Sequence, residues 1–435
     1  MTLRVPGVDH HRAVVVTGVR LVDRNERERR PVDLEVVRDR ETVAGPSDSP
    51  YAERGRMLRA SSIQRRAARV FQDRPEWRAA PTRRLGEGIG PGEVTVSPVK
   101  PRSIARAARR RWRGAVAHVG TEVEWLRTRH GTADLALFHE FAPPPAGGGH
   151  QFLRALTREL EGRGLVVEQQ RISAGTPSCL FNSFNFDFAR LRRFSGRGAR
   201  LVHRVDGPIG VYRGFDDGTD GHIARINAEL ASATILQSRF SLEKHRELGI
   251  ELRDPVVVPN AVDPSIFHPP ERREPLQARK VRVVATSWSD NPRKGGDALA
   301  WLDRNLDPAR YELTFAGRAP GRFEHVRVVG PLDSQALADL LRTQDLYLAP
   351  SRDDPCSNAL LEALACGLPA AYRDSGGHPE LVGEGGLPFR TDDELGEVLE
   401  RLVAELDERR AAISTRSIAW VADRYLEVLG LGRGT

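Results

Sequence analysis

The chain reads as an α/β protein of two doubly wound, Rossmann-like domains with a cleft between them, preceded by a basic N-terminal extension. Three features predict this. From Ala133 to Leu429, short apolar runs that suit buried strands alternate with segments whose apolar residues recur at helical spacing, the pattern of a parallel sheet wound on both faces. A proline-rich stretch, PNAVDPSIFHPPERREPLQARK, with prolines at 259, 264, 269, 270 and 275, divides that series into two parts of similar size. Polar or glycine-rich turns follow several strand runs, and open α/β sheets hold ligands at the carboxyl ends of their strands.

The organisation expected is an extension over 1–130, a first Rossmann-like domain over 131–265, a second over 266–412 and a C-terminal helical segment over 413–435. At 435 residues, each of two or three domains can bury its own core. Hydrophobic residues at 40% and charged ones at 29% are globular values. The three cysteines, Cys179, Cys356 and Cys366, form neither a CxxC pair nor an even disulfide framework, which suits a reducing compartment. No apolar run approaches a bilayer span and no signal-peptide core follows Met1, so the expected location is cytoplasmic. The net charge of +7 is uneven: residues 1–130 hold 28 Lys and Arg against 16 Asp and Glu, and the remainder holds 38 against 43. The basic excess belongs to the leader, which has no interleaved aromatics or recognisable nucleic-acid module, so nucleic acid is not an expected partner.

In the extension, Ala13–Val22 and Val32–Val37 resemble two short strands, and Ala44 to Pro98 is rich in Arg, Pro, Gly and Ser with little periodicity, a flexible composition. Ile104, Ala108, Trp112 and Ala115–Val116 recur at helical spacing among six arginines between 102 and 113. Such a helix over 100–116 would suit a peripheral membrane or protein partner at the inner face of the membrane, or a solvated face on the next domain.

Order begins at Ala133. ADLALFHEF is a strand, APPPAGGGH a loop, and a helix follows with Phe152, Leu153, Leu156 and Leu160 on one face. LVVEQQRI and SCLFNSF are strands, DFARLRRF a basic helix, RLVHRVDG a strand with a polar end, GHIARINAELA a helix, TILQS a strand, SLEKHRELG a helix and PVVVPNAV a strand. Beyond the proline linker the alternation resumes with VRVVAT, the turn SWSDNPRKGGD, the helix ALAWLDRNL, the strands YELTFAG and VRVVG, and the helix SQALADLLR. The run Asp345–Pro350 then ends in a polar turn, and a helix starting near Asp354 or Ser357 carries Leu360, Leu361 and Leu364 before Gly367 and Pro369 stop it. A helix that starts beyond the end of a buried strand offers unpaired N–H groups to an anion. Asp354 and Glu362 lie eight residues apart on it, and a second glycine turn, SGGHPE, follows the next apolar run. Helices over Glu394–Leu406 and Ser417–Leu429 close the chain, the last with Trp420, Val421 and Tyr425 among its apolar residues.

Four marks, AGGGHQFLRALTRELEGRG, PNAVDPSIFHP, NPRKGGD and DPCSNALLEALACGLP followed by SGGHPELV, resemble in order and spacing the GT-B glycosyltransferases, and most closely the retaining group often called family 4. HRVDGPIGVYRG and INAELASATILQS are similar to polysaccharide and cell-envelope transferases of that group. The resemblance covers Ala133 to Leu429, about two thirds of the chain, and implies transfer of a sugar from a nucleoside diphosphate donor to a hydroxyl acceptor (a glycan, a lipid-linked acceptor or a secondary metabolite).

What the resemblance implies for the residues is specific. Glu362 would bond the donor ribose, and Asp354, where relatives usually carry Glu, would meet hydroxyls of the donor sugar. Lys294 with Arg293 would neutralise the departing diphosphate, helped by the helix start at Ser357, Asn358, Ala359 and Leu360. Relatives often place a second Arg six residues before the Lys, where this chain has Trp288. Gly148 and Gly149 match the turn that admits donor phosphates, His203 the histidine near the donor sugar, and the C-terminal helix the one that returns to brace the first, acceptor-binding domain. Asn182, Asn185 and Asp206, at strand ends, would line the acceptor side.

No cofactor is expected beyond the nucleotide-sugar co-substrate. The DD pairs at 216–217, 353–354 and 392–393 lack the further ligand a divalent site wants, and no HExxH motif occurs. The alternatives are a phosphorylase or epimerase on the same fold, or a non-catalytic nucleotide-sugar-binding subunit, the latter motivated by Asp354 and Trp288.

Overall fold

The computed structural model describes residues 133–143, 147–276, 279–289 and 291–432, together with Val123. The strands expected at Ala13–Val22 and Val32–Val37, the Arg-rich stretch from Ala44 to Pro98 and the basic helix within 100–116 lie outside these residues.

The first domain runs β1 (Leu135–Phe138), α1 (Gly148–Gly162), β2 (Val167–Gln169), β3 (Ser178–Asn182), α2 (Phe188–Phe194), β4 (Arg200–Val205), α3 (Ile209–Arg213), α4 (Thr219–Leu230), β5 (Ala233–Leu236), α5 (Arg239–Glu247) and β6 (Pro255–Val257). Its six strands are parallel in the order β2-β1-β3-β4-β5-β6. Alternation along each strand feeds two cores. Leu135, Leu137, Leu180, Val202 and Ile235 pack on one face beneath Phe152 and Leu156 of α1. Ala136, Phe138, Cys179, Phe181 and Leu201 pack on the other beneath Leu191 and Phe194 of α2.

The second domain runs β7 (Val281–Ser287), α6 (Gly296–Asn305), β8 (Tyr311–Gly317), β9 (Val326–Val329), α7 (Ser334–Arg342), β10 (Leu346–Ala349), α8 (Asn358–Ala365), β11 (Ala370–Arg373), α9 (His378–Val382), β12 (Gly386–Phe389), α10 (Leu395–Ala404) and α11 (Leu406–Ala411). Its sheet is also six-stranded and parallel, in the order β12-β11-β10-β7-β8-β9. Val281, Val283 and Ala285 meet Leu299 of α6 and Leu399 of α10 on one face, and Val284 and Tyr347 meet Leu341 of α7 with Leu360 and Leu364 of α8 on the other.

The final helix, α12 (Ile418–Leu429), is capped by Ser417, which accepts from Trp420 N, and it packs Ile418, Val421 and Tyr425 into the first domain's core beside α1. Trp420 does not join them: it is 36% exposed, with the Arg416 guanidinium 4.9 Å from its ring centre. Two other elements depart from the sequence pattern. β12 contains Gly386 and Pro388, weak strand residues, yet it pairs because it is an edge strand with a free side for the missing N–H. The helix expected over Glu394–Leu406 is interrupted at Glu405 and continues as α11 to Ala411. Among the described residues, no helix is long and apolar enough to cross a membrane.

Candidate active site

Each sheet reverses its strand order once, between β1 and β3 in the first and between β7 and β10 in the second. A crevice opens at the carboxyl end of such a reversal, and here the two crevices face each other as one cleft of about 480 Å³.

The second-domain wall carries opposite charges in contact. Lys294 ends a 3-10 turn, Pro292–Lys294, whose first N–H is held by the Asn291 side chain. The turn closes on Gly295 at φ +82°, where a Cβ would lie 2.5 Å from the Pro350 carbonyl oxygen, so only glycine lays this turn against the end of β10. Lys294 Nζ donates to Asp354 Oδ2 at 2.7 Å and lies 4.9 Å from the Tyr212 ring centre. Burial works against the Lys294 ammonium, but the Asp354 carboxylate and Tyr212 outweigh it and raise its pKa. Burial likewise opposes the Asp354 carboxylate, and Lys294 and His378 hold it below its ordinary value.

Behind this pair, α8 begins with Ser357 as its cap, accepting from Leu360 N. The helix start presents N–H groups and the positive end of its dipole to the cleft. One turn in, Glu362 is 7% exposed and lines the cleft, and among the described residues its carboxyl has no hydrogen-bond partner. Burial alone pushes it up to about 8.

The first-domain wall is organised on Arg204, a fully buried guanidinium at the end of β4. It donates to Asn182 Oδ1 at 2.8 Å, to Asp206 Oδ1 at 3.0 Å and to Asn260 Oδ1 at 3.0 Å. Asp206 also accepts from Gln237, and Asn260 Nδ2 donates to Gln237 Oε1 at 3.0 Å and to Asn358 Oδ1 at 3.0 Å, which carries the network into the second domain. On its other side, Asn182 Nδ2 lies 3.3 Å from His139 Nδ1, and His139 Nε2 lies 2.8 Å from His150 Nδ1. The domains also meet at Gly148, where a Cβ would lie 2.5 Å from that of Asn358, and at Gly207, where it would lie 2.6 Å from that of Pro355. Glu380 of α9 accepts from the N–H groups of Arg239 (2.9 Å) and Phe240 (2.8 Å), capping α5 from across the cleft.

Of the residues singled out in the sequence, Gly148, Gly149, Lys294, Asp354, Ser357, Asn358, Ala359 and Glu362 line this cleft together with Asn182, Asn185 and Asp206. Three are placed elsewhere. His203 is in register with Phe181 on β4, so its side chain emerges on the α2 face of the sheet; it stacks on Phe181 at 4.3 Å, bonds Asn227 at 3.1 Å, and is fully buried. Arg293 turns from the cleft to pair with Asp353. Leu360 packs into the core beneath β10. Among the residues given no role in the sequence are Arg204, Gln237 and Asn260, together with His139, directly after β1, and His150, directly after the triple glycine; the signal for the two histidines was position beside a strand end and a helix start. Trp288 lines the cleft, and the Arg318 guanidinium lies 4.7 Å from its ring centre. Among the described residues, no three His, Cys, Asp or Glu side chains are grouped to hold a metal ion.

Residues 298–405 match the family described as Glycosyl transferases group 1. The chain is 30% identical over 203 residues to the GDP-mannose-dependent monoacylated alpha-(1-6)-phosphatidylinositol monomannoside mannosyltransferase of Corynebacterium glutamicum, a match covering 40% of this chain and 53% of that protein. The chain thus spans about half the length of this curated relative. Its fold is similar to sucrose-phosphate synthase from Thermosynechococcus elongatus, with a TM-score of 0.54 and 17% identity over 68% of this chain and 98% of that one. It is also similar to the catalytic domain of starch synthase IV from Arabidopsis thaliana bound to ADP and acarbose, with a TM-score of 0.51 and 12% identity over the same shares. Two parallel six-stranded domains facing across a cleft give this chain the GT-B fold, and residues 298–405 of the second domain match Glycosyl transferases group 1.

Proposed function

We propose that the protein transfers a sugar from a nucleoside diphosphate donor to a hydroxyl acceptor, a glycan or a lipid-linked sugar, at the cytoplasmic side of the cell. The second domain takes the donor and the first takes the acceptor. The observation that carries this reading is the meeting in one cleft of Lys294, the N-terminus of α8 and Glu362, which has no partner among the described residues. A nucleoside diphosphate needs just these groups: a cation and N–H donors for the phosphates and a carboxylate for the ribose hydroxyls.

As the sugar–phosphate bond breaks, negative charge grows on the leaving diphosphate. Lys294 and the α8 dipole stabilise that charge, and closure of the cleft excludes water. The acceptor hydroxyl approaches from the side of Asn182, Asn185 and Asp206. Retention of anomeric configuration is supported by the resemblance to family 4 transferases. The Corynebacterium relative, named for GDP-mannose dependence, puts GDP-sugars first among donors to test.

A second reading, a nucleotide-sugar-binding subunit without turnover, is favoured by one observation: Asp354 is occupied by Lys294 and lacks a methylene relative to glutamate. Thermal shift and hydrolysis with GDP-, UDP- and ADP-sugars, run beside Lys294→Ala, separate the two. A donor at a hundred times its Kd adds about 2.7 kcal/mol to stability. A shift with slow hydrolysis, both lost in the variant, supports the transferase; a shift without turnover in acceptor mixtures supports the binding subunit; no shift with any donor refutes both.

A further inference from the structure

We propose that His150 donates its Nε2–H to a diphosphate oxygen of the bound nucleotide, and that a hydrogen-bond chain running back to Arg204 keeps the proton on that nitrogen. The inference rests on the nucleotide-sugar reading above and adds to it a residue from the opposite wall.

The chain is read from its fixed end. Arg204 is permanently protonated and has no acceptor atom, so the atom of Asn182 facing it at 2.8 Å is the amide oxygen. The amide nitrogen then faces His139 Nδ1 at 3.3 Å and can only donate, so Nδ1 carries no proton and neutral His139 carries its proton on Nε2. That Nε2–H points at His150 Nδ1, 2.8 Å away, which accepts. Neutral His150 therefore holds its own proton on Nε2, the open end of the relay. Among the described residues that nitrogen has no partner, and His150 lines the cleft.

Both rings are neutral near pH 7. Burial takes His139 down to about 3, helped by His150, Arg204 and Arg154, and burial with Arg154 lowers His150. The charged groups facing the pair are thus Arg154 on α1 and Arg204 on β4, with Asp206 beyond Arg204.

The chemistry around the open end selects an anion. His150 is the third residue of α1; its own N–H bonds the Gly147 carbonyl at 3.0 Å, and the N–H groups of Gly148 and Gly149 before it have no acceptor within the helix. The α8 start lies opposite, with Asn358 against Gly148. A relay that ends in a donor, between two helix N-termini and in the same cleft as Lys294, suits a phosphate oxygen, which accepts and never donates.

The test is isothermal titration of UDP, GDP and ADP into the wild type, His150→Phe, His150→Gln and Asn182→Asp. For the diphosphate that binds the wild type, His150→Phe, which keeps the ring and removes the donor, is expected to weaken affinity roughly ten- to a hundredfold, the worth of a hydrogen bond to a charged group. His150→Gln, which keeps an N–H, is expected to stay within a few-fold. Asn182→Asp reverses the relay: the carboxylate accepts from His139 Nδ1–H, both tautomers flip, and His150 turns a lone pair towards the phosphate. Measured relative to wild type at the same pH, its affinity should be poor at pH 8 and recover as acid protonates His139, which then donates from both nitrogens and restores the His150 Nε2–H. Equal affinity of His150→Phe and wild type overturns the role of His150 while leaving the nucleotide reading intact, and an Asn182→Asp loss that ignores pH overturns the relay. Failure of the wild type to bind any of the three overturns this proposal and the nucleotide reading together.

Discussion

Glu362 is a carboxyl that the fold keeps at a cost, and the cost can be measured. With 7% of its surface exposed and no partner among the described residues, it is pushed up to about 8 by desolvation. A carboxyl whose folded pKa lies above its ordinary 4.5 contributes most below that ordinary value, and the contribution is lost as pH rises towards 8. At 1.36 kcal/mol per pKa unit, the unliganded protein gives up about 3 kcal/mol by pH 7 and under about 1 kcal/mol at pH 5. Glu362→Gln, of the same shape and uncharged, is therefore expected to unfold at higher denaturant than wild type at pH 7 and at nearly the same concentration at pH 5.

The same group links donor binding to protons. With a pKa of about 8, roughly nine-tenths of Glu362 is protonated at pH 7. On the proposed reading, ribose hydroxyls would donate to the carboxylate and favour its charged form, so binding would expel the proton. Calorimetric titration of the cognate nucleotide-sugar in buffers of different ionisation enthalpy should show about 0.9 proton released at pH 7, with affinity rising about tenfold per pH unit towards pH 8. A nucleotide-sugar carries no terminal phosphate to titrate in this range, so the signal belongs to the protein. Buffer-independent enthalpy with a flat affinity between pH 6 and 8 would refute the assignment of Glu362 to the ribose, and a Glu362→Gln variant no more stable than wild type at pH 7 would refute its desolvation.

Two further outcomes follow from the contact between the domains. Gly148→Ala, whose Cβ would lie 2.5 Å from Asn358 Cβ, should weaken nucleotide-sugar binding by holding the walls apart, whereas Gly162→Ala, at the far end of the same helix with nothing within 4 Å, should bind as wild type; similar effects of the two would contradict the close approach. Glu380→Ala removes the carboxylate that caps α5 from the other domain, a contact worth about 1 kcal/mol, and should open the cleft, read as a larger radius of gyration in solution scattering that returns when donor is added; an unchanged radius would mean that the other contacts hold the domains by themselves.

The frame was legible because most strands are short, mainly apolar runs beside an amphipathic helix, and periodicity reports both; β2, with Glu168 inside it, and β12, with Gly386 and Pro388, are the exceptions. The second-domain wall was legible for a similar reason: Lys294, Asp354 and Glu362 lie in short segments whose local turns bring them together. His203 and His139 show where that logic ends. Both lie in or beside strands that point at the cleft, but His203 is two residues short of the end of β4 and faces the helices, whereas His139 follows β1 directly and reaches the cleft. One position along a strand exchanges its faces, and strand ends are the least certain boundary in a sequence. Arg293 was misplaced by a different cause: its partner, Asp353, sits in a second loop 60 residues on, at φ +54°, and no local pattern joins the two. Gln237 and Asn260 lie within INAELASATILQS and PNAVDPSIFHP, yet neither segment assigned them a role, since an amide declares its role only through the groups around it.

Aspartate at 354 and tryptophan at 288 are the two departures from the family pattern, and the structure joins them in one argument about charge. The shorter carboxylate reaches Lys294 at 2.7 Å and accepts from Cys356 N at 3.2 Å, so both of its oxygens are engaged within its own domain. Lys294 is thereby held in place, and its charge is balanced before any ligand enters. On the proposed reading, an arriving diphosphate would meet a cation already matched, and the remaining attraction would come from groups that carry no compensating acid. The α8 N-terminus is one such group, and the His150 relay, whose far end is the buried Arg204, is another. Arg318 is the third candidate, because its stacking on Trp288 puts a guanidinium beside the position where relatives carry arginine. On the proposed reading Glu362 sharpens the point: burial favours its neutral form in the empty cleft, and ionisation on arrival of a ribose would add one negative charge just as two phosphates come in. Dipolar donors bear this better than a second matched ion pair, because a helix terminus or a neutral imidazole brings no counter-charge that the phosphate must displace.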